Sequence, residues 1–280
     1  MKLISNCIYI VSTPIGNLDD ITIRAIKVLK KSDIILCEDT RHSLKLLNHL
    51  KIKKKLVSYH KFNEKKQTSN IIKHINKGKI LSLISDAGTP LISDPGYLLI
   101  NECIKNNIKI VPIPGVSSVV TAMSVSGFDD KFIFYGFLPK KEKDLDKVLS
   151  SLSQYPFSQV FFIPGLKAKF YLARFKKYFM NRKIFIGREM TKIYETFYRG
   201  DITNFQIPAK ILKGELTVVI SNIQKASKDR LDDKIIINKA KIFLKKYSLK
   251  DTVDFIFKTE KINKKKIYQI CLSIKNDKNI

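Results

Sequence analysis
Four short stretches hold most of the chemistry this sequence can offer. Residues 84–96 read Ile-Ser-Asp-Ala-Gly-Thr-Pro-Leu-Ile-Ser-Asp-Pro-Gly, with two Asp, two Pro and two Gly in one connection. Residues 38–41, Glu-Asp-Thr-Arg, gather three charges and a hydroxyl. Residues 12–17 read Ser-Thr-Pro-Ile-Gly-Asn, and residues 114–118 read Pro-Gly-Val-Ser-Ser. Gly lets a ligand approach the main chain closely and Pro stiffens the loop around it. Carboxylates can accept a proton or balance a cation, and an Arg fork suits a phosphate. A plainer account of each stretch exists: Asp as turn or helix cap, Arg41 paired with an acid, Ser117 or Ser118 capping a helix. The case for a site comes from position, because all four stretches follow apolar runs that read as strands.

Those runs are 7–11, 33–37, 80–84 and 108–111, with a fifth at 56–60. Helical patterns follow at 21–31, 44–50, 64–77, 97–106 and 119–126, and Asp19 and Asp20 are expected as the cap and first-turn acids of the first. Strands alternating with helices over 127 residues predict a mostly parallel α/β sheet. Ligands of such sheets bind outside the carboxyl ends of the strands. A helix beginning at Ser117-Ser118 has free N–H groups for a carboxylate or phosphate. No G-x-G-x-x-G occurs, which argues against an ordinary dinucleotide fold. A boundary and crossing segment is expected around 127–141, followed by a second α/β unit with strands at 159–163, 183–186, 193–198 and 215–220. Beyond 232, two amphipathic helices (234–247 and 249–259) precede a cluster at Lys264, Lys265 and Lys266. That cluster is either a phosphate-binding patch or a solvated face.

The chain has 280 residues, 44% of them hydrophobic, which is globular composition with room for two domains. A net charge of +27 favours a polyanionic partner, but only seven of the 52 basic residues are Arg. Lys enrichment of that kind matches an AT-rich genome, so the charge counts as supporting evidence only. Four scattered cysteines are expected as reduced core thiols, with no metal site, no membrane span and a cytoplasmic location.

In order and spacing, residues 13–17, 38–41, 85–96, 114–118, 136–139 (Gly-Phe-Leu-Pro) and 188–192 (Arg-Glu-Met-Thr-Lys) closely resemble the tetrapyrrole-methylase-fold enzymes that methylate ribosomal RNA. The likeness is greatest to the small-subunit cytidine 2′-O-methyltransferases. It implies two α/β domains, 1–127 and 128–224, with a cleft between them, plus a small basic helical module at 232–280. It also implies S-adenosylmethionine as methyl donor, 16S ribosomal RNA as partner and assembly as a homodimer. Carried over onto this chain, Pro14, Ile15, Gly16, Asp86, Ala87, Gly88, Thr89, Pro114, Gly115, Ser117, Ser118, Ile163 and Gly187 would contact the donor. Asp39 and Asp86, with Glu38 behind them, are the candidate proton acceptors. Asn17, Arg41 and the Lys264–Lys266 cluster would touch RNA. One departure stands out: where such enzymes carry a Tyr-Glu-Ser-x-His-Arg-like segment, residues 163–168 read Ile-Pro-Gly-Leu-Lys-Ala, without the acid and the Arg. Two other readings fit the residues less well: a tetrapyrrole methyltransferase of the same fold, and a non-catalytic RNA-binding relative.

Overall fold
In this computed structural model, residues 4–207, 214–223 and 225–276 are described. The early apolar runs form β1 (Cys7–Val11), β2 (Ile34–Cys37), β3 (Lys55–Ser58), β4 (Leu81–Ile84) and β5 (Lys109–Ile113). They make one sheet of order β3-β2-β4-β1-β5 in which every pairing is parallel. Val11 lies beside Ile84 on one side and Ile113 on the other, so these strands end at a common level. The central strands are buried throughout, as expected for a sheet covered on both faces. Helices α1 (Ile23–Lys31) and α2 (Thr40–His49) pack Val28, Leu29 and Leu47 on Cys7, Tyr9 and Val11. The alternate strand residues, such as Ile8 and Leu83, face α3 (Glu64–Asn76) and α4 (Tyr97–Lys105) through Ile71, Ile75 and Leu99.

The second sheet is mixed. It comprises β6 (Phe132–Phe137), β7 (Ser158–Pro164), β8 (Lys183–Arg188), β9 (Thr196–Asp201) and β10 (Glu215–Ile220), in the order β6-β7-β10-β8-β9. Only β6 and β7 run parallel. Helices α6 (Glu142–Ser153) and α7 (Ala168–Tyr178) cover one face with Leu145, Leu149, Tyr171 and Phe175. The other face is covered by α5 (Ser118–Ser126), whose Val119 and Ala122 pack on Val160, Phe185 and Val219. Helix α5 thus follows β5 in the chain but packs against the second sheet. Both sheets belong to one compact unit that ends at Asn222.

From Ile223 onward the chain forms a separate compact unit. It contains α8 (Lys225–Phe243), α9 (Leu249–Glu260) and α10 (Lys264–Asn276), with Ile236, Ala240, Val253, Ile256, Ile267 and Cys271 as its core. The third helix was not legible beforehand, because the Lys run conceals the Ile267, Cys271 and Ile274 spacing behind it.

Two local expectations are corrected. Asp19 and Asp20 do not start α1; they close a single 3-10 turn, Leu18–Asp20, in which the Asn17 side chain accepts the Asp19 N–H at 3.1 Å. The cap of α1 is Thr22, whose hydroxyl accepts the Ala25 N–H at 3.1 Å. The segment 132–137 does not cross between domains but pairs as an edge strand, with a register shift between Phe134 and Gly136. All four cysteines are buried and free. Among the described residues no helix is long and apolar enough to cross a membrane.

Candidate active site
Because β1, β2, β4 and β5 are parallel, the four chemically rich connections leave the sheet at one rim. They are also tied to each other. Thr13 and Gly88 exchange backbone hydrogen bonds of 2.8 and 3.0 Å, joining the loops after β1 and β4. The Thr13 hydroxyl donates to the Ser85 carbonyl at 3.2 Å, and the Thr89 hydroxyl donates to the Val116 carbonyl in the loop after β5 at 3.1 Å. The Asp39 N–H donates to Asp86 Oδ1 at 3.3 Å, which links the loops after β2 and β4. Gly88 (φ +82°) and Gly96 (φ +136°) take left-handed conformations within the 84–96 connection, and so do Leu91 and Ser93, both at φ +71°.

These loops wall a cavity of about 550 Å³ whose far side is formed by the second sheet, through Phe162, Gly187, Met190 and Thr217. Five carboxylates line it: Glu38, Asp86, Asp94, Glu189 and Glu215. Glu189 is paired with Lys192 at 3.2 Å; the other four have no ion pair among the described residues. Burial, reinforced by Glu38 and Asp86, pushes the Asp94 carboxyl up to about 7. Burial, and then Asp86, also raises Glu38 above the ordinary carboxylate range. An acidic cavity in a chain of net charge +27 is a local inversion of the molecule's field. Its physical complement is a cation.

A second hollow of about 460 Å³ shares Glu38 and Asp86 with the first and adds Asp39, Thr40, Arg41, Ser58, His60, Lys61 and Phe62. Asp39 caps α2, accepting the Arg41 N–H at 2.8 Å, while the Arg41 guanidinium grips both its oxygens at 3.1 and 2.7 Å. Those bonds from Arg41 hold the Asp39 carboxyl well below the usual carboxylate range. Such a group is a weak proton acceptor, and here it orients Arg41.

Of the residues singled out from sequence, Ile15, Glu38, Asp86, Ala87, Gly88, Thr89, Ser117, Ser118 and Gly187 line the main cavity. Ser117 occupies the N-cap of α5 without a capping bond, so its hydroxyl is not consumed by the helix. Pro14, Gly16, Pro114 and Gly115 are not among the lining residues. A Cβ on Gly115 would lie 2.8 Å from Ser12 Cβ, and one on Gly16 would lie 2.5 Å from Lys192 Cγ and 2.8 Å from the Met190 carbonyl. Gly16 is thus where the loop after β1 presses on the 187–192 turn, and the Asn17 N–H donates to Thr191 Oγ1 at 3.0 Å beside it. The Ile163 side chain lies in the core on the far face of β7, and its neighbour Phe162 faces the cavity instead. In the helical unit, Lys264 pairs with Asp254 at 2.5 Å and Lys266 with Asp233 at 3.1 Å, while Lys265 donates its backbone N–H to Asn263. Asp94, Glu189 and Glu215 were not singled out. Asp94 and Glu189 sat inside motifs already quoted, but Glu215 begins a strand and gives no sequence signal.

The sequence pattern of the tetrapyrrole (corrin/porphyrin) methylases matches residues 7–206. A ribosomal RNA small subunit methyltransferase I from Buchnera aphidicola is 40% identical over 271 residues, spanning 94% of this chain and 95% of that protein. The chain belongs to this methyltransferase family. A namesake from Thermotoga maritima is 44% identical over 215 residues, which is 76% of this chain and 96% of the relative. Among solved structures, the methyltransferase CobJ superposes with a TM-score of 0.60 at 14% identity, covering 78% of this chain and 95% of that one. A uroporphyrin-III C-methyltransferase from Thermus thermophilus, complexed with S-adenosylhomocysteine, gives 0.53 at 12% identity, covering 78% and 98%. At those identities the likeness is one of fold. The family's two-sheet architecture accounts for the cavity, since each sheet supplies one wall.

Proposed function
We propose that the chain transfers a methyl group from S-adenosylmethionine to the 2′-hydroxyl of a cytidine in 16S ribosomal RNA, acting in the cytoplasm during small-subunit maturation. Relatives named for small-subunit ribosomal RNA align with nearly the whole chain, which favours RNA over a tetrapyrrole as acceptor. The observation that carries the reading is the pair of hollows with a shared wall of Glu38 and Asp86. One hollow suits a cationic donor, and the other, bordered by Arg41 and Lys61, suits a phosphate-bearing acceptor.

The lining fits S-adenosylmethionine, which supplies when bound an electrophilic methyl group on a sulfonium cation. Glu38, Asp86 and Asp94 provide countercharge, the start of α5 at Ser117-Ser118 suits a carboxylate, and Gly187, Phe162 and Met190 offer apolar contact to a flat ring system. Held in this enclosed site, the reacting groups gain mostly from position and from exclusion of water. Glu38 and Asp86 stand where an acceptor hydroxyl would shed its proton. Glu38, on the shared wall and raised by burial, is a stronger base than Asp39, which lines only the second hollow and which Arg41 keeps acidic. Asp39 acts through Arg41, setting its guanidinium against a phosphate. The missing acid and Arg of residues 163–168 leave a backbone role: the Gly165 N–H donates to the Gly214 carbonyl at 2.8 Å, and Gly214 lines the cavity.

The test is methylation of small ribosomal subunits from cells lacking this modification, with labelled donor and mapping of ribose methylation. A single new 2′-O-methyl cytidine is expected. Label on a base, or label that enters only a porphyrinogen offered in parallel, overturns the proposal. Assembly as a homodimer rests on the family resemblance and is read by sedimentation equilibrium.

A further inference from the structure
The second hollow has an outer wall that the methyl-transfer chemistry leaves unused. It is formed by the connection between β3 and α3, residues 59–63, and it carries Phe62, which is 95% exposed. No other large apolar side chain among the described residues is more exposed. Exposure alone does not mark a binding face, but this ring borders a hollow whose other walls carry charged side chains. The backbone beneath it is fixed. The Tyr59 N–H donates to the Cys37 carbonyl at 2.8 Å, the His60 N–H to Asn63 Oδ1 at 2.9 Å, and the Phe62 N–H to His60 Nδ1 at 3.3 Å. Asn63 Nδ2 donates to the Ser58 carbonyl at 3.0 Å, and the Ser58 hydroxyl reaches the Glu38 carbonyl at 3.3 Å. The loop holding Phe62 is therefore bonded to the loop holding Glu38. His60 meets the Phe62 ring edge-on, with centroids 6.0 Å apart.

Around that ring the charges are sorted. Carboxylates of Glu38 and Asp86 form the inner wall, and Arg41 and Lys61 border the hollow with cations. Arg41 spends Nε and Nη2 on Asp39, while its side chain stays 88% exposed and Nη1 makes no hydrogen bond among the described residues. An aromatic face, a fork for phosphate and carboxylates for a hydroxyl are the three features a single unstacked nucleotide requires.

Building on the function proposed above, we infer that this hollow is the acceptor-nucleotide subsite: Phe62 stacks on an unpaired base of the RNA, Arg41 and Lys61 take the flanking phosphates, and the ribose is thereby set over Glu38 and Asp86. Phe62 is a positioning residue. Stacking is sequence-tolerant, so its role is to hold the nucleotide out of the RNA stack rather than to choose its base.

The experiment compares wild type, Phe62→Ala and Phe62→Tyr on small ribosomal subunits, with donor affinity measured separately by calorimetry. A stem-loop RNA bearing fluorescent pyrrolocytosine at the mapped acceptor position reports stacking directly. Expected for Phe62→Ala is a fall of about 10- to 100-fold in kcat/KM. Its donor affinity should equal that of wild type, and it should lose the fluorescence quench seen with wild type. Phe62→Tyr should restore both rate and quench. A Phe62→Ala enzyme within twofold of wild type, or an unchanged quench, overturns the subsite while leaving the methyltransferase reading intact. If wild type itself methylates no ribose in these subunits, that reading falls and the subsite falls with it.

Discussion

Asp94 is the residue whose replacement should separate stability from function. Its carboxyl lies at about 7 against an ordinary 3.8, first because it is buried and then because Glu38 and Asp86 face it. At about 1.4 kcal/mol per pH unit, that difference sets a ceiling of roughly 4 kcal/mol on what ionising Asp94 costs the folded protein. The group is only half-buried, so solvent screening should reduce this to about 2 kcal/mol. The sign follows from proton linkage. Below pH 4 the carboxyl is protonated in folded and unfolded chains alike, and no cost arises. Between pH 4 and 7 the unfolded chain loses the proton while the folded one keeps it, so stability is lost as pH rises, and above 7 the loss is constant. Asp94→Asn should therefore be more stable than wild type at pH 8, by about 4–8 °C in Tm for a unit of this size, with the gap shrinking towards zero at pH 4. The assay is scanning calorimetry of both proteins without ligand across that range. The same variant should bind S-adenosylmethionine more weakly while binding S-adenosylhomocysteine, which lacks the sulfonium charge, nearly as well. A Tm gap that is independent of pH, or a variant less stable than wild type at pH 8, refutes the reasoning.

Arg182 is 4% exposed and donates to the carbonyls of Ser153, Tyr155, Phe157 and Ser221, with burial lowering it to about 10. Arg182→Ala leaves those carbonyls unpaired and should cost about 3–5 kcal/mol, measured by urea unfolding. Gly16→Ala drives a Cβ into Lys192 and the Met190 carbonyl and should cost about 1–3 kcal/mol, with donor affinity falling in parallel by calorimetry. Glu38→Gln should lower kcat on ribosomal subunits by about 100-fold or more at saturating donor, a loss larger than the one its missing countercharge causes in donor affinity. Asp39→Asn should act mainly on KM for RNA, because it frees Arg41; a larger loss of kcat than in Glu38→Gln would return the proton-acceptor role to Asp39.

The parallel sheet was legible because its strands are short, apolar and separated by helical patterns, and parallel order then brings their far ends to one rim. The loop motifs after β1, β2, β4 and β5 carried most of the cavity wall for the same reason. What was not legible came from contacts distant in sequence. Glu215 reaches the cavity only because β10 lies between β7 and β8. The Phe162 side chain faces the cavity and that of Ile163 the core because neighbouring strand residues face opposite ways, and no local signal says which face is the core. The grip of Arg41 on Asp39, which lowers that carboxyl, depends on a side-chain geometry that the sequence leaves open. Lys264 and Lys266 pair with acids on α9 and α8, partners that no spacing in the sequence announces. Charge runs say little until their partners are known.

Helix α5 fastens the two halves of the large unit to each other. Its body is embedded in the second sheet through Val119 and Ala122, yet its first turn hangs from the last strand of the first sheet by residues 114–117. Any change in the angle between the sheets has to be taken up at residues 114–117 and at the contacts of Gly16 and Asn17 with the 187–192 turn. A molecule gripping Ser117 and Ser118 would resist such a change, and a pair of distance labels placed across the sheets would test whether donor occupancy alters their separation.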